Sequence, residues 1–202
     1  MHAHSSPTPD VYVAIGEDYA KDERRCCPLR ERKIDGTSVY VGKILSLRVD
    51  RVELPNGRVA TREVVGHPGA VAILAQSAPD AVVLVRQFRY PIGEVSLELP
   101  AGKLEQGEDP LPAAHRELAE ETGYTAGNMQ FVMSFYSTPG FSDERMHLYL
   151  ATDLKAGTPQ PDDDEFIDCL TVDRSTVAHM VDKGELTDAK TLVGLLWWLG
   201  RP

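Results

Sequence analysis

Five glutamates fall within residues 102–124, GKLEQGEDPLPAAHRELAEETGY: Glu105, Glu108, Glu117, Glu120 and Glu121. If the second half of this stretch is helical, Glu117, Glu120 and Glu121 stand at i, i+3 and i+4 and share one face. Ala114 and Leu118 then point away from them, toward a core. Like charges at that spacing repel by about a few tenths of a kcal/mol per pair. A divalent cation removes that repulsion, and a set of hard oxygen donors suits Mg²⁺ or Mn²⁺. Arg116 lies beside the cluster and can hold a carboxylate through a bidentate contact.

The elements that must position these groups are signalled locally. Glu108 and Asp109 put negative charge ahead of the helix, where its dipole favours it. Pro110 and Pro112 fit only a first turn, where amide hydrogens lack intrahelical partners. Gly123 can take the left-handed conformation that ends a helix, and Gly102 and Gly107 mark a bending loop before it. Upstream, residues 38–66 alternate apolar and polar side chains around Pro55-Asn56-Gly57, which predicts a β-hairpin. The exposed edges of such a sheet must be covered or paired, so dimerisation through it is expected. Strands are also predicted at residues 70–75, 81–89, 96–102, 128–138, 145–154 and 166–172. Two helices close the chain. Asp173 or Ser175 caps the first. Thr187 caps the second, whose apolar face carries Leu192, Leu195, Leu196 and Leu199.

At 202 residues the chain suits one domain with an appendage. Its net charge of −10 argues against a nucleic-acid backbone as partner and leaves room for a small phosphorylated ligand held by local cations. The three cysteines, Cys26, Cys27 and Cys169, are odd in number and two are adjacent, so a reducing cytoplasm is expected rather than a disulfide framework. The apolar runs are too short to span a membrane, and the first ten residues lack the basic start and apolar core of a secretory signal. Residues 1–37 read as a polar tail and an irregular arm with a basic cluster at Arg24, Arg25, Arg30, Arg32 and Lys33.

The full pattern over residues 102–124 is G-x₅-E-x₇-R-E-U-x-E-E-x-G-U, with U a bulky apolar residue. Gly102, Glu108, Arg116, Glu117, Leu118, Glu120, Glu121 and Gly123 all fall in register. This strongly resembles the signature of the Nudix hydrolases, with Tyr124 standing where an aliphatic residue is commoner. Three further stretches resemble the ADP-ribose pyrophosphatase branch of that family. They are Arg86-Gln87-Phe88-Arg89-Tyr90-Pro91, Glu98-Leu99-Pro100-Ala101-Gly102 and Thr138-Pro139-Gly140-Phe141-Ser142-Asp143-Glu144.

The resemblance implies a Nudix-type α/β/α sandwich with a mixed sheet, plus a small N-terminal antiparallel β domain. The expected division is an arm at 1–37, a hairpin dimerisation region at 38–66 and a catalytic domain at 67–202. It implies Glu117, Glu120 and Glu121, with the Ala101 carbonyl, as ligands of Mg²⁺, and Arg116 and Glu108 as groups that orient them. Glu120 and Arg116 stand on the catalytic side with a general base, either Glu165 or Asp163. Substrate contacts are expected from Arg62, Glu63, Arg89, Pro139 and Glu144, with Arg62 and Glu63 reaching a neighbouring subunit's site. The implied reaction is hydrolysis of ADP-ribose to AMP and ribose 5-phosphate. Another nucleoside-diphosphate sugar, such as GDP-mannose, is the alternative substrate. A nucleotide-binding module without catalysis is the alternative of another class, and the complete set of acidic residues disfavours it.

Overall fold

The structure, a computed structural model, describes residues 29–160 and 165–201. The first 28 residues, with Arg24 and Arg25 of the basic cluster, lie outside it, as does Asp163. Strand β1 (Arg32–Val41) begins ahead of the alternation at Ser38. With β2 (Ser46–Glu53) and β3 (Val59–Gly66) it forms a three-stranded antiparallel sheet in the order β1-β2-β3. Gly57 closes the β2–β3 hairpin at φ +79°, the left-handed region that glycine enters without steric cost. All ten residues of β1 are exposed, Val39, Tyr40 and Val41 among them.

The second sheet is mixed. Strands β4 (Ala70–Ala78), β5 (Ala81–Arg89), β8 (Thr125–Tyr136), β9 (Arg145–Lys155) and β10 (Ile167–Asp173) run in the order β10-β5-β4-β9-β8. The β4–β9 pair is parallel and the other pairs are antiparallel. Residues 96–102, which read as one strand, are two. Strand β6 (Glu94–Glu98) pairs with β5, and β7 (Ala101–Lys103) pairs with β4. Pro100 sits at the break, where it has no amide to give to a ladder, and its carbonyl accepts from Ile73 N–H at 2.8 Å.

Alternation along β4 explains the layering. Val71, Ile73 and Ala75 pack with Ala113, Ala114 and Leu118 of helix α1 (Pro110–Thr122) on one face. Ala72 and Leu74 pack on the other face with Val177 of α2 (Arg174–Lys183) and with Leu195 and Trp198 of α3 (Ala189–Leu199). The result is the expected helix–sheet–helix sandwich. Two details of α3 differ from the sequence reading. Asp188, not Thr187, is its N-cap, accepting from Thr191 N–H at 2.9 Å. Leu196 is exposed, because the buried stripe runs through Thr191, Gly194, Leu195 and Trp198. Gly194 lacks the side chain that would meet Leu99, so the helix sits close on the sheet.

The end of β3 is stitched to the loop that joins β8 and β9 of the second sheet. Val65 N–H donates to Phe141 O at 2.8 Å, and Asp143 N–H donates to Val65 O at 3.2 Å. Asp143 Oδ1 also accepts from His67 N–H at 2.9 Å. The loop joining β8 to β9 is thereby fastened to the end of β3. Among the described residues, no helix is long and apolar enough to cross a membrane.

Candidate active site

Helix α1 presents its glutamates against β7. Gly123, at φ +73°, ends the helix as its sequence predicts, its amide donating to Ala119 O. Glu108 and Asp109 precede the first turn, yet Asp109 makes no side-chain capping bond. Glu108 is instead held by Arg116, with Nε and Nη2 lying 3.0 and 2.9 Å from its two oxygens. This contact holds the Glu108 carboxyl below the usual carboxylate range. Arg116 does more than fix one carboxylate. Its Nη1 also donates to Glu117 at 2.8 Å and to Glu120 at 2.9 Å, and it is raised above the ordinary arginine value, first by Glu108.

Glu117 and Glu121 are buried, with Glu121 only 4% exposed. Burial pushes Glu117 up, against the pull of Arg116. Burial pushes Glu121 up to about 8, because its one opposing hydrogen bond, from Ala101 N–H at 2.9 Å, does not offset desolvation. The charge of Glu165 raises both further, which places that residue within electrostatic reach of the pair. A Cβ at Gly102 would collide with the Glu117 carboxylate, so only glycine leaves room for it there.

These residues fit a divalent cation. Two desolvated carboxylates lack sufficient counter-charge, Glu120 stands beside them, and the donors are hard oxygens throughout. Among the described residues no three acidic, histidine or cysteine side chains are already gathered as a ligand set. Arg116, bonded to both Glu117 and Glu120, supplies the positive charge between those two.

Beside Gly102 lies a cleft of about 270 Å³ whose polar lining includes His67, Arg89, Lys103, Glu144 and Lys190. It is therefore largely cationic, in a chain that is acidic overall. A larger cleft, about 450 Å³, lies at the far end of β4 around Gln76–Pro79, away from these groups. Glu144 accepts from Ser137 Oγ and lies 3.6 Å from His67 Nδ1, whose lone pair takes the Gly69 amide.

Arg89 was expected to offer its fork to a phosphate. It lines the cleft, but part of the fork is committed: Nε and Nη2 donate to Glu98 at 2.8 and 2.6 Å. Glu98, 2% exposed, is also bonded by Lys190. Burial pushes Glu98 up, but Arg89 and Lys190 together outweigh it and hold the carboxyl at about 2. Sequence reasoning assigned nothing to Lys190, and its partner is 92 residues away. Arg62 and Glu63 stand on the N-terminal sheet and do not line this cleft, Arg62 being paired with Glu31. Pro139 is exposed in the turn following Thr138 and also lies off the lining.

An acidic helix face beside a cationic cleft, on this sandwich, is the layout of an enzyme for phosphate esters. The model of the NUDIX domain matches residues 66–192, and that of the nucleoside diphosphate sugar hydrolase N-terminal domain matches residues 31–65. The chain belongs to the Nudix family of hydrolases, enzymes that work with a divalent metal ion. It is 44% identical to an ADP-ribose pyrophosphatase of Bacillus subtilis, over 81% of this chain and 89% of that one. It is 41% identical to a methanol dehydrogenase activator of Bacillus methanolicus, over 82% and 90% of the two chains. A solved structure described as an ADP compounds hydrolase superposes with a TM-score of 0.74, covering 83% of this chain and 92% of that one, at 21% identity. That last likeness concerns the fold.

Proposed function

We propose that this enzyme is a Mg²⁺-dependent ADP-ribose pyrophosphatase of the cytoplasm that works as a homodimer. The observation that carries the reading is the meeting of two groups at Gly102: the buried, under-neutralised Glu117 and Glu121, and the cleft to which Arg89 and Lys103 bring positive charge. A diphosphate needs cations along its length, and the metal site needs to lie at its bridge. The name of the Bacillus subtilis relative supports ADP-ribose as the substrate.

In this reading Glu117, Glu120, Glu121 and the Ala101 carbonyl hold the ion. When bound, Mg²⁺ neutralises phosphoryl oxygens and lowers the pKa of a coordinated water. Arg116 keeps Glu117, Glu120 and Glu108 in register. Arg89 directs its uncommitted N–H groups to a phosphate. Glu165 takes the proton of the attacking water, and Asp163, two residues earlier in the chain, is the alternative base. Water oxygen bonds to one phosphorus, the bridging P–O bond breaks, and AMP and ribose 5-phosphate leave. Glu144 hydrogen-bonds the terminal ribose, Pro139 contributes to substrate binding, and Arg62 and Glu63 serve a partner's site. The exposed edge strand β1 supports the dimer.

Product analysis on purified protein with Mg²⁺, using ADP-ribose beside GDP-mannose, tests the substrate. Release of AMP and ribose 5-phosphate at the higher kcat/KM is expected, and faster cleavage of GDP-mannose would reassign it. Sedimentation is expected to give twice the chain mass, and a monomer would remove the shared-site roles of Arg62 and Glu63.

A further inference from the structure

We propose that Lys190 is a positioning residue for the diphosphate: through Glu98 it fixes the Arg89 guanidinium with its unused edge toward the cleft. The first turn of α3 thereby sets phosphate affinity. The inference takes only the chemical class of ligand, a diphosphate, from the function proposed above.

Two neighbouring residues of the β6–β7 segment are tied to two neighbouring residues of α3. Glu98 accepts from Lys190, and Leu99 N–H donates to Thr191 Oγ1 at 2.8 Å. Thr191 is in turn held by Asp188, its N–H and Oγ–H donating to Oδ2 at 2.9 and 2.6 Å. The helix start and the strand end are thus locked in register. On the other side of Glu98, Arg89 spends two of its five N–H groups, on Nε and Nη2, on the carboxylate, which leaves one on Nη2 and two on Nη1. Arg89 and Lys190 both line the cleft beside Gly102. Both also line a second cleft, of about 330 Å³, between Pro91 and Thr187, so the pair forms the wall between the two.

Lys190 acts through Glu98 rather than on phosphate directly. Its ammonium is already engaged by Glu98 and by Asp188 at 3.0 Å, and its side chain is only 13% exposed. Arg89 is the more accessible of the two, at 39%. Without Lys190 the Glu98 carboxylate loses the contact that holds it from the helix side, and the Arg89 fork is free to turn with it.

The test measures affinity for inorganic pyrophosphate by calorimetry, without metal, for the wild type, Lys190→Arg, Lys190→Met, Arg89→Gln and Arg89→Gln/Lys190→Met. Lys190→Met is expected to bind about tenfold more weakly and Lys190→Arg within about threefold of wild type, since a cation still reaches Glu98. The double variant is expected to bind no more weakly than Arg89→Gln alone, the non-additivity of residues that act as one unit. Glu98→Gln/Lys190→Met removes both charges, keeps the fold if the single variant fails, and is expected to show the same tenfold loss. Wild-type affinity in Lys190→Met, additive losses in the double variant, tighter binding by Glu98→Gln/Lys190→Met, or no pyrophosphate binding by the wild type would each overturn the proposal. Turnover of ADP-ribose by the wild type, run alongside, bears only on the function proposed above.

Discussion

Glu98 and Glu121 are both almost fully buried, and they titrate in opposite directions. Glu98 is held at about 2, while Glu121 is pushed to about 8. They touch the same short segment of backbone, since Glu121 accepts from Ala101 N–H and Glu98 lies three residues earlier. The difference is the company each keeps. Desolvation acts on both, but Glu98 has Arg89 and Lys190 hydrogen-bonded against it, whereas Glu121 has one amide, only the weaker field of Arg89, and the opposing charges of Glu117 and Glu165. A buried carboxylate with its own cations is complete as part of the fold. One without them is arranged for a cation that arrives from solution.

The contrast is broken most severely at Glu121. Glu121→Gln is expected to lower kcat for ADP-ribose by more than about 100-fold, beyond the loss caused by removing a mere supporting partner of a metal ligand. The folded state is expected to hold or gain stability, since a repelled buried charge is removed. Steady-state product release and urea unfolding measure the two together. A kcat within a few-fold of wild type would leave the comparison without its functional half.

Glu98→Ala should do the reverse and act on the fold. It strands Arg89 and leaves Lys190 with Asp188 alone, at a cost of about 3 kcal/mol, the low end for a broken buried pair because Arg89 keeps some solvent. Urea denaturation checks this, and an unchanged midpoint would mean the triad is already well hydrated.

The two groups also predict opposite pH windows for metal-free protein. Glu121 binds its proton more tightly folded than unfolded, so stability falls as pH rises from 4.5 to about 8. Glu98 binds its proton less tightly folded, so its contribution is present above pH 4.5 and is lost as pH falls toward about 2. Thermal unfolding from pH 5 to 8 should show a decline that Glu121→Gln reduces, with the raised Glu117 carrying the remainder, and that Mg²⁺ suppresses. A decline undiminished in that variant would assign it to other groups.

The smallest effect sharpens the cationic side. Asp188→Ala removes the cap of α3 and should cost about 1 kcal/mol in urea unfolding, while leaving Glu98 with both its partners. A loss as large as that of Glu98→Ala would show that Asp188, rather than Glu98, anchors Lys190.

How far the sequence could see divides along the same line. The acidic face was legible because helical period alone brings Glu117, Glu120 and Glu121 together, with Pro110 and Gly123 marking the ends. The α/β sandwich followed from short apolar runs and the order of elements, and the mixed sheet between helices from the resemblance to the Nudix hydrolases. The Lys190–Glu98 contact was not legible, because it joins residues 92 apart and neither neighbourhood carries a spacing signal. The break at Pro100 was visible as a proline but not as a change of strand partner. At α3, Thr187 and Asp188 are adjacent residues of good capping chemistry, and only the backbone angle decides between them. Leu196 looked like core by type, but close approach at Gly194 rotates the buried stripe toward Trp198.

The backbone bonds from Val65 to Phe141 and Asp143 have a consequence for any attempt to work with half the molecule. Glu144 follows directly on that fastened loop and forms one wall of the cleft. A truncation beginning at residue 66 would delete the strand that pins the wall, so the amino-terminal sheet is not a detachable module. Shortening the chain there would alter the width of the ligand groove even if every glutamate stayed in place.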